Sequence, residues 1–302
     1  MGRNLAYLIG IIVTILIGIY FYNSCCNCCN GTVDDKDPAQ ETPIANEPTA
    51  TSYPFALADG DFLYEVNDNF NFNVSSPSFL LPLSDSVKKG VAALSDHLST
   101  NAERVVNIIG YYKADEENTT AYPNLGIARA NSVKNHFVTS GISSAQINTS
   151  GQLMDEMIPE EGIYLGPVAY GIEAKDSNAD EELQALYDKI KANPLVLYFE
   201  TGQASINLSA EQRQKVADIS RYLDKAVDAS CLVIGHTDNT GSRATNIKLG
   251  QDRAEFAKNY LMQNGIVESK IEASSEGPDN PIVSNGTEAG RAKNRRVVVT
   301  LN

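Results

Sequence analysis

The stretch CLVIGHTDNTGSRATNIKLGQDRAEFAKNYLMQNG, Cys231 to Gly265, changes its hydrophobic period twice. Cys231–Gly235 is a short unbroken apolar run, the pattern of a strand buried on both faces. His236-Thr237-Asp238-Asn239-Thr240-Gly241 is made of turn-forming residues. Ala244 to Asn264 then reads as a helix, which Gly265 closes by tolerating a left-handed backbone. Working outward, Val196–Phe199 reads as a strand, and Ser209 with Gln212 forms a capping box for a helix whose apolar face is Val216, Ile219 and Leu223. Ile271–Ser274 and Arg296–Leu301 read as further strands. The order β-α-β-α-β-β predicts an α/β fold, an α+β sandwich with helices packed on a mixed sheet. Cys231, inside a core strand, reads as a small hydrophobe.

The same landmarks recur upstream. Leu208-Ser209 and Gly235 are 27 residues apart from leucine to glycine, and so are Leu83-Ser84 and Gly110. Arg253-Ala254 is followed after 12 residues by Gly265-Ile266, and Arg129-Ala130 after 12 by Gly141-Ile142; Ile271 and Ile147 then fall at matching offsets. Repeated spacing of this kind predicts two copies of one unit, over residues 55–173 and 185–302, joined by a linker at 174–184.

Residues 1–30 hold the single long apolar run, Leu5–Tyr22, 18 residues without a charge. As a helix it reaches roughly 27 Å, close to the ~30 Å hydrocarbon core of a bilayer. Arg3 precedes it and the first acidic residue afterwards is Asp34, which predicts a cytoplasmic N-terminus and domains outside. Its bulky end, Tyr20-Phe21-Tyr22, reads as a retained anchor rather than a cleaved signal peptide. Ala6, Gly10, Thr14 and Gly18 share one face. They permit a homodimer, but glycine is also simply common in membrane helices. Cys25, Cys26, Cys28 and Cys29 follow, spaced too tightly for the usual tetrahedral zinc site; disulfides and lipid attachment at Cys25 both stay open. Residues 31–54, rich in Asp, Glu, Pro and Thr, read as an acidic flexible tether spanning roughly 27 Å on average.

The formal charge is −14, which argues against a nucleic-acid partner. Three separated histidines, His97, His136 and His236, offer little for a metal centre or a catalytic dyad. No carboxylate pair or Cys/His dyad supports a hydrolase. The sequence therefore predicts no enzyme, no metal and no cofactor.

The loop at Gly235–Gly241 combines a strand end with a helix start, where backbone N–H groups converge and suit a carboxylate. Asn246 and Arg253, seven residues apart, share one helix face. Arg253 can fork onto a carboxylate, and Asp238 suits an ammonium group. Together they suit one zwitterion, an amino-acid centre; an ordinary Asp238–Arg253 salt bridge is the other reading.

GHTDNTGS, the pattern N-x-x-L-x-x-x-R-A from Asn246 to Ala254, and GRAKNRRV from Gly290 to Val297 resemble the OmpA-like peptidoglycan-binding domain over about 185–302. The resemblance implies noncovalent binding of the diaminopimelate residue of the peptidoglycan stem peptide. Asp238 and Arg253 would be the principal ligand-binding residues, with Asn246, Thr237 and Arg295 lining the pocket. Gly250 departs from the serine that the family commonly has there, at a helix cost of about 1 kcal/mol. Arg291, Lys293, Arg295 and Arg296 form a basic cluster, of which the resemblance assigns Arg295 to the pocket. A single anchor joined to such a domain also resembles flagellar stator proteins, but Leu5–Tyr22 lacks the acidic residue that proton transport would need.

The first copy departs further. Lys113 falls on the Asp238 position and Tyr122 on that of Asn246, and a one-residue gap is needed before Arg129. Charge reversal at the ammonium site predicts a degenerate copy, structural or binding an envelope protein, unless Asp115 slides in. The whole reads as a cell-envelope protein held at the outer face of the inner membrane, with an outer-membrane location after lipidation as the alternative. It would link membrane to wall; a scaffold that does not bind peptidoglycan is the other reading.

Overall fold

The computed structural model describes residues 49–199 and 207–302. The expected anchor Leu5–Tyr22, the cysteine cluster and the tether up to residue 48 lie outside the described residues; the tether's expected last residues instead join the fold, since the Thr51 and Tyr53 N–H groups donate to the carbonyls of Ile158 and Leu165 at 3.0 and 3.1 Å. Among the described residues, no helix is long and apolar enough to cross a membrane.

Both halves belong to one unit that runs from Pro48 to Asn302. The first half opens with a hairpin, β1 (Phe55–Asp59) and β2 (Phe62–Val66), followed by a short strand β3 (Phe72–Asn73). Helix α1 (Asp85–Thr100) begins at the Ser84 cap, whose hydroxyl accepts from the Val87 N–H. Strand β4 (Arg104–Tyr112), helix α2 (Leu125–Thr139), strand β5 (Ile147–Leu153), the short β6 (Ile163–Tyr164) and β7 (Val168–Ala174) follow. The second half contains α3 (Ala179–Ala192), β8 (Leu195–Tyr198), α4 (Ala210–Lys225), β9 (Cys231–His236), α5 (Arg243–Gln263), β10 (Ile271–Gly277), α6 (Glu288–Asn294) and β11 (Arg296–Leu301).

In the second half the sheet order is β10-β9-β11-β8, with β9 and β10 parallel and β11 antiparallel to both β9 and β8. A parallel pair needs a crossover, and α5 supplies it. In the first half the order is β5-β4-β7, with β4 and β5 parallel across α2 and β7 antiparallel to β4. Helices α2 and α5 end alike, at Gly141 and Gly265, with φ of 98° and 92° in the left-handed region that glycine enters without a Cβ clash.

The expected order is corrected in three places. A short helix, α6, intervenes before the last strand, because Thr287 caps it by accepting from the Gly290 N–H. The first half carries the additional β1–β2 hairpin and the β3–β6 pair, with Phe55, Leu57, Phe70 and Phe72 buried in its core. Helix α3 starts at Ala179, inside the stretch 174–184 read as a linker. The capping box at Ser209 and Gln212 is present as expected.

The halves are fastened along α2 and α4. Lys134 donates to both oxygens of Asp224, at 2.8 and 2.6 Å, and is almost fully buried. The Lys225 ammonium donates to the carbonyls of Ala145 and Ile147, at 2.9 and 2.8 Å. Burial pushes its pKa down to about 8. Tyr122 does not sit on the helix as Asn246 does: α2 starts after it, at Leu125 behind the Asn124 cap, and its hydroxyl lies 3.1 Å from that of Ser220 on α4. It therefore serves the contact between halves.

Candidate functional site

The site is set by how closely α5 approaches β9. A Cβ on Gly235 would strike the carbonyl of Gly250, and one on Gly250 would meet the Ser275 hydroxyl and the Gly235 carbonyl. This accounts for Gly250: Ser275 already occupies the space that a side chain there would take.

One turn beyond Gly250, Arg253 projects from α5 and is buried, with its guanidinium 5.7 Å from the centre of the Phe199 ring. Its Nε and Nη1 have no hydrogen-bond partner among the described residues. A buried guanidinium left short of acceptors costs free energy that an incoming anion restores. Burial, and then the neighbouring Arg295, pull its pKa below the ordinary arginine value, while Asp238 opposes them.

Asp238 stands on the loop that follows β9. It does not form the direct salt bridge with Arg253; it accepts from Arg295 Nη1 at 3.0 Å and from the Thr240 N–H at 2.8 Å. Burial disfavours its charged form, but the Thr240 N–H and Arg295 outweigh that and keep its pKa below the usual carboxylate value. Arg295 in turn donates from Nη2 to Glu288 at 2.8 Å, while its Nε stays unpartnered among the described residues. The site thus holds two guanidiniums and two carboxylates, a balance that suits a ligand carrying one charge of each sign.

Thr237 is buried, and its hydroxyl donates to the Asp238 carbonyl at 2.9 Å. Asn246 donates to the Thr240 carbonyl at 3.1 Å. Both fix the path of the loop that presents Asp238. The basic cluster divides: Arg295 joins Asp238, Arg291 pairs with Glu288, and Arg296 is buried, donating to the carbonyls of Asn294 and Asn280. Two neighbours went unread in the sequence, Phe199 beneath Arg253 and Glu288 on Arg295. The Thr287 cap of α6, eight residues before Arg295, is the local signal that places Glu288.

Residues 198–295 match the family model of the OmpA family. The chain carries an OmpA-like domain. Over 121 residues it is 36% identical to the peptidoglycan-binding protein ArfA of Mycobacterium tuberculosis, covering 40% of this chain and 36% of that protein. Over 99 residues it is 46% identical to the probable lipoprotein YiaD of Escherichia coli, covering 33% of this chain and 45% of that one. The chain thus spans less than half the length of either relative. A solved structure, the peptidoglycan-associated lipoprotein from Burkholderia pseudomallei, aligns with a TM-score of 0.32 at 28% identity, over 35% of this chain and 89% of that one.

The first half holds an arginine at the corresponding place. Gly126 packs on Gly110 as Gly250 packs on Gly235, and Arg129 stands one turn on. Arg129 is fully buried, between the rings of Phe72 and Tyr164 at 5.6 and 5.3 Å. Its Nη1 and Nη2 both donate to Glu116, the former at 3.0 Å, and its other bonds go to the carbonyls of Tyr111 and Ser76 at 2.8 and 3.1 Å. Asp115, the alternative acceptor that the sequence left open, lies exposed, 3.8 Å from Lys113.

Proposed function

We propose that residues 185–302 bind peptidoglycan noncovalently by gripping the zwitterionic centre of diaminopimelate in the stem peptide. Arg253 forks onto the carboxylate, and Asp238 accepts from the ammonium. Arg295 aims Asp238 and adds positive charge, while Thr237 and Asn246 shape the loop. The observation that carries this reading is the buried Arg253 guanidinium, unpartnered among the described residues and set beside a carboxylate already oriented by Arg295. The name of the similar ArfA supports the ligand class.

In this reading residues 55–173 are a degenerate second copy, and Leu5–Tyr22 with a tether that runs from residue 31 and ends before Thr51 holds the domains at the outer face of the inner membrane. The protein then links membrane to wall without catalysing a reaction.

Co-sedimentation of the full chain with purified diaminopimelate-type sacculi tests it. Wild type is expected in the pellet, and Asp238→Ala and Arg253→Ala, shown to be folded, in the supernatant. Equal pelleting of all three would remove the pocket from the account.

A further inference from the structure

Arg129 and Arg253 stand at the same point of the same local construction, one turn beyond a helix glycine that rests on a glycine of the central strand. Their surroundings differ in one respect that matters chemically. Arg253 keeps two nitrogens unpartnered among the described residues, whereas every nitrogen of Arg129 has an acceptor. The difference is the Glu116 carboxylate. It lies on the loop after β4, as Asp238 lies on the loop after β9, and its side chain is 1% exposed.

The carboxylate is received as a ligand would be. Besides the two guanidinium bonds, its oxygens accept from the Lys113 N–H and the Ser75 N–H, each at 2.9 Å. Two charged donors and two backbone donors saturate a carboxylate.

We infer that Glu116 is an internal ligand, occupying in the first half the place that Arg253 leaves to an external carboxylate in the second. The first half therefore does not lack a carboxylate site; it carries one that its own chain fills. The ligand class follows from the contacts: a carboxylate, received by a guanidinium fork and backbone N–H groups. With Lys113 where Asp238 stands and Asp115 drawn to that lysine at 3.8 Å, no free carboxylate among the described residues awaits an ammonium, so a vacated site takes a simple monocarboxylate rather than a zwitterion. The parallel with Arg253 rests on the proposed function, but the occupancy of Arg129 does not.

Glu116→Ala in the full chain vacates the site, and acetate is the probe. The melting temperature of this variant is expected to rise saturably with sodium acetate, by several degrees more than with sodium chloride at equal ionic strength. Wild type and the double variant Glu116→Ala/Arg129→Met should respond equally to the two salts. Where Glu116→Ala does not survive purification, its refolding yield from urea is compared in the two salts. A greater yield in acetate supports the internal ligand. Equal responses, or equal yields, overturn it. Acetate is not a wall fragment, so this result stands apart from sacculus binding by Asp238 and Arg253.

Discussion

Two arginines, one in each half, face opposite fates. Arg129 is closed in by Glu116, two carbonyls and two aromatic rings, and Arg253 is buried over one ring with nitrogens to spare among the described residues. A buried charge with all its partners is a structural element, and removing one partner is costly. A buried charge short of partners is open to an acceptor from outside, which is the role we propose for Arg253. On the proposed function, the same side chain in the same local frame serves two ends, depending on whether a loop carries a carboxylate to it.

The sharpest way to break that comparison is Glu116→Ala in the absence of added carboxylate. It leaves Arg129 charged and uncompensated, and we expect a loss of about 3–5 kcal/mol in urea unfolding. Arg253→Ala should cost far less stability while losing sacculus binding. Similar stability losses would mean that the two arginines are equally structural.

The joint between the halves comes next. Lys134→Met strands Asp224 at the interface, and about 3 kcal/mol of destabilisation is expected in the same assay. A loss well below 1 kcal/mol would show that the halves hold together without this pair.

Gly250→Ser places a side chain against Ser275 and the Gly235 carbonyl, for an expected cost of about 1–3 kcal/mol. Adding Ser275→Gly, which copies the Gly151 of the first half, should recover part of it. No recovery would locate the strain at the backbone carbonyl alone.

The smallest effect is in the pH profile. Burial, and then Arg296, push the His236 pKa down to about 4, against the pull of Glu276. The unfolded value is about 6.5. A folded pKa below the unfolded one means that the contribution of neutral His236 is complete above about pH 6.5 and is lost as pH falls towards 4. His236→Asn should therefore flatten part of the stability decline over that window, measured as melting temperature against pH.

Much of this was legible in the residues. The turn-rich loop, the helix closed by Gly265 and the equal 27-residue spacings place Asp238, Arg253 and their frame, because local turn chemistry and apolar periodicity determine them. What escaped depends on distant parts of the chain. The resemblance puts Arg295 in the pocket, but its direct pairing with Asp238 spans 57 residues, and nothing local to either announces it. Glu116 escaped because alignment against the second half sets Lys113 opposite Asp238 and needs a gap in the loop, so the carboxylate that fills the site has no counterpart to line up with. Tyr122 falls on the Asn246 position by spacing, but α2 begins about two turns later than α5 does, and the contact with Ser220 explains the tyrosine better than the site does.

The most direct measurement is calorimetric titration of the full chain with a diaminopimelate-containing muropeptide against its lysine counterpart, which lacks the side-chain carboxylate. Tighter binding of the diaminopimelate form by about tenfold or more, with the preference gone in Arg253→Ala, is the expected result. Equal affinity for the two muropeptides would contradict the role given to Arg253.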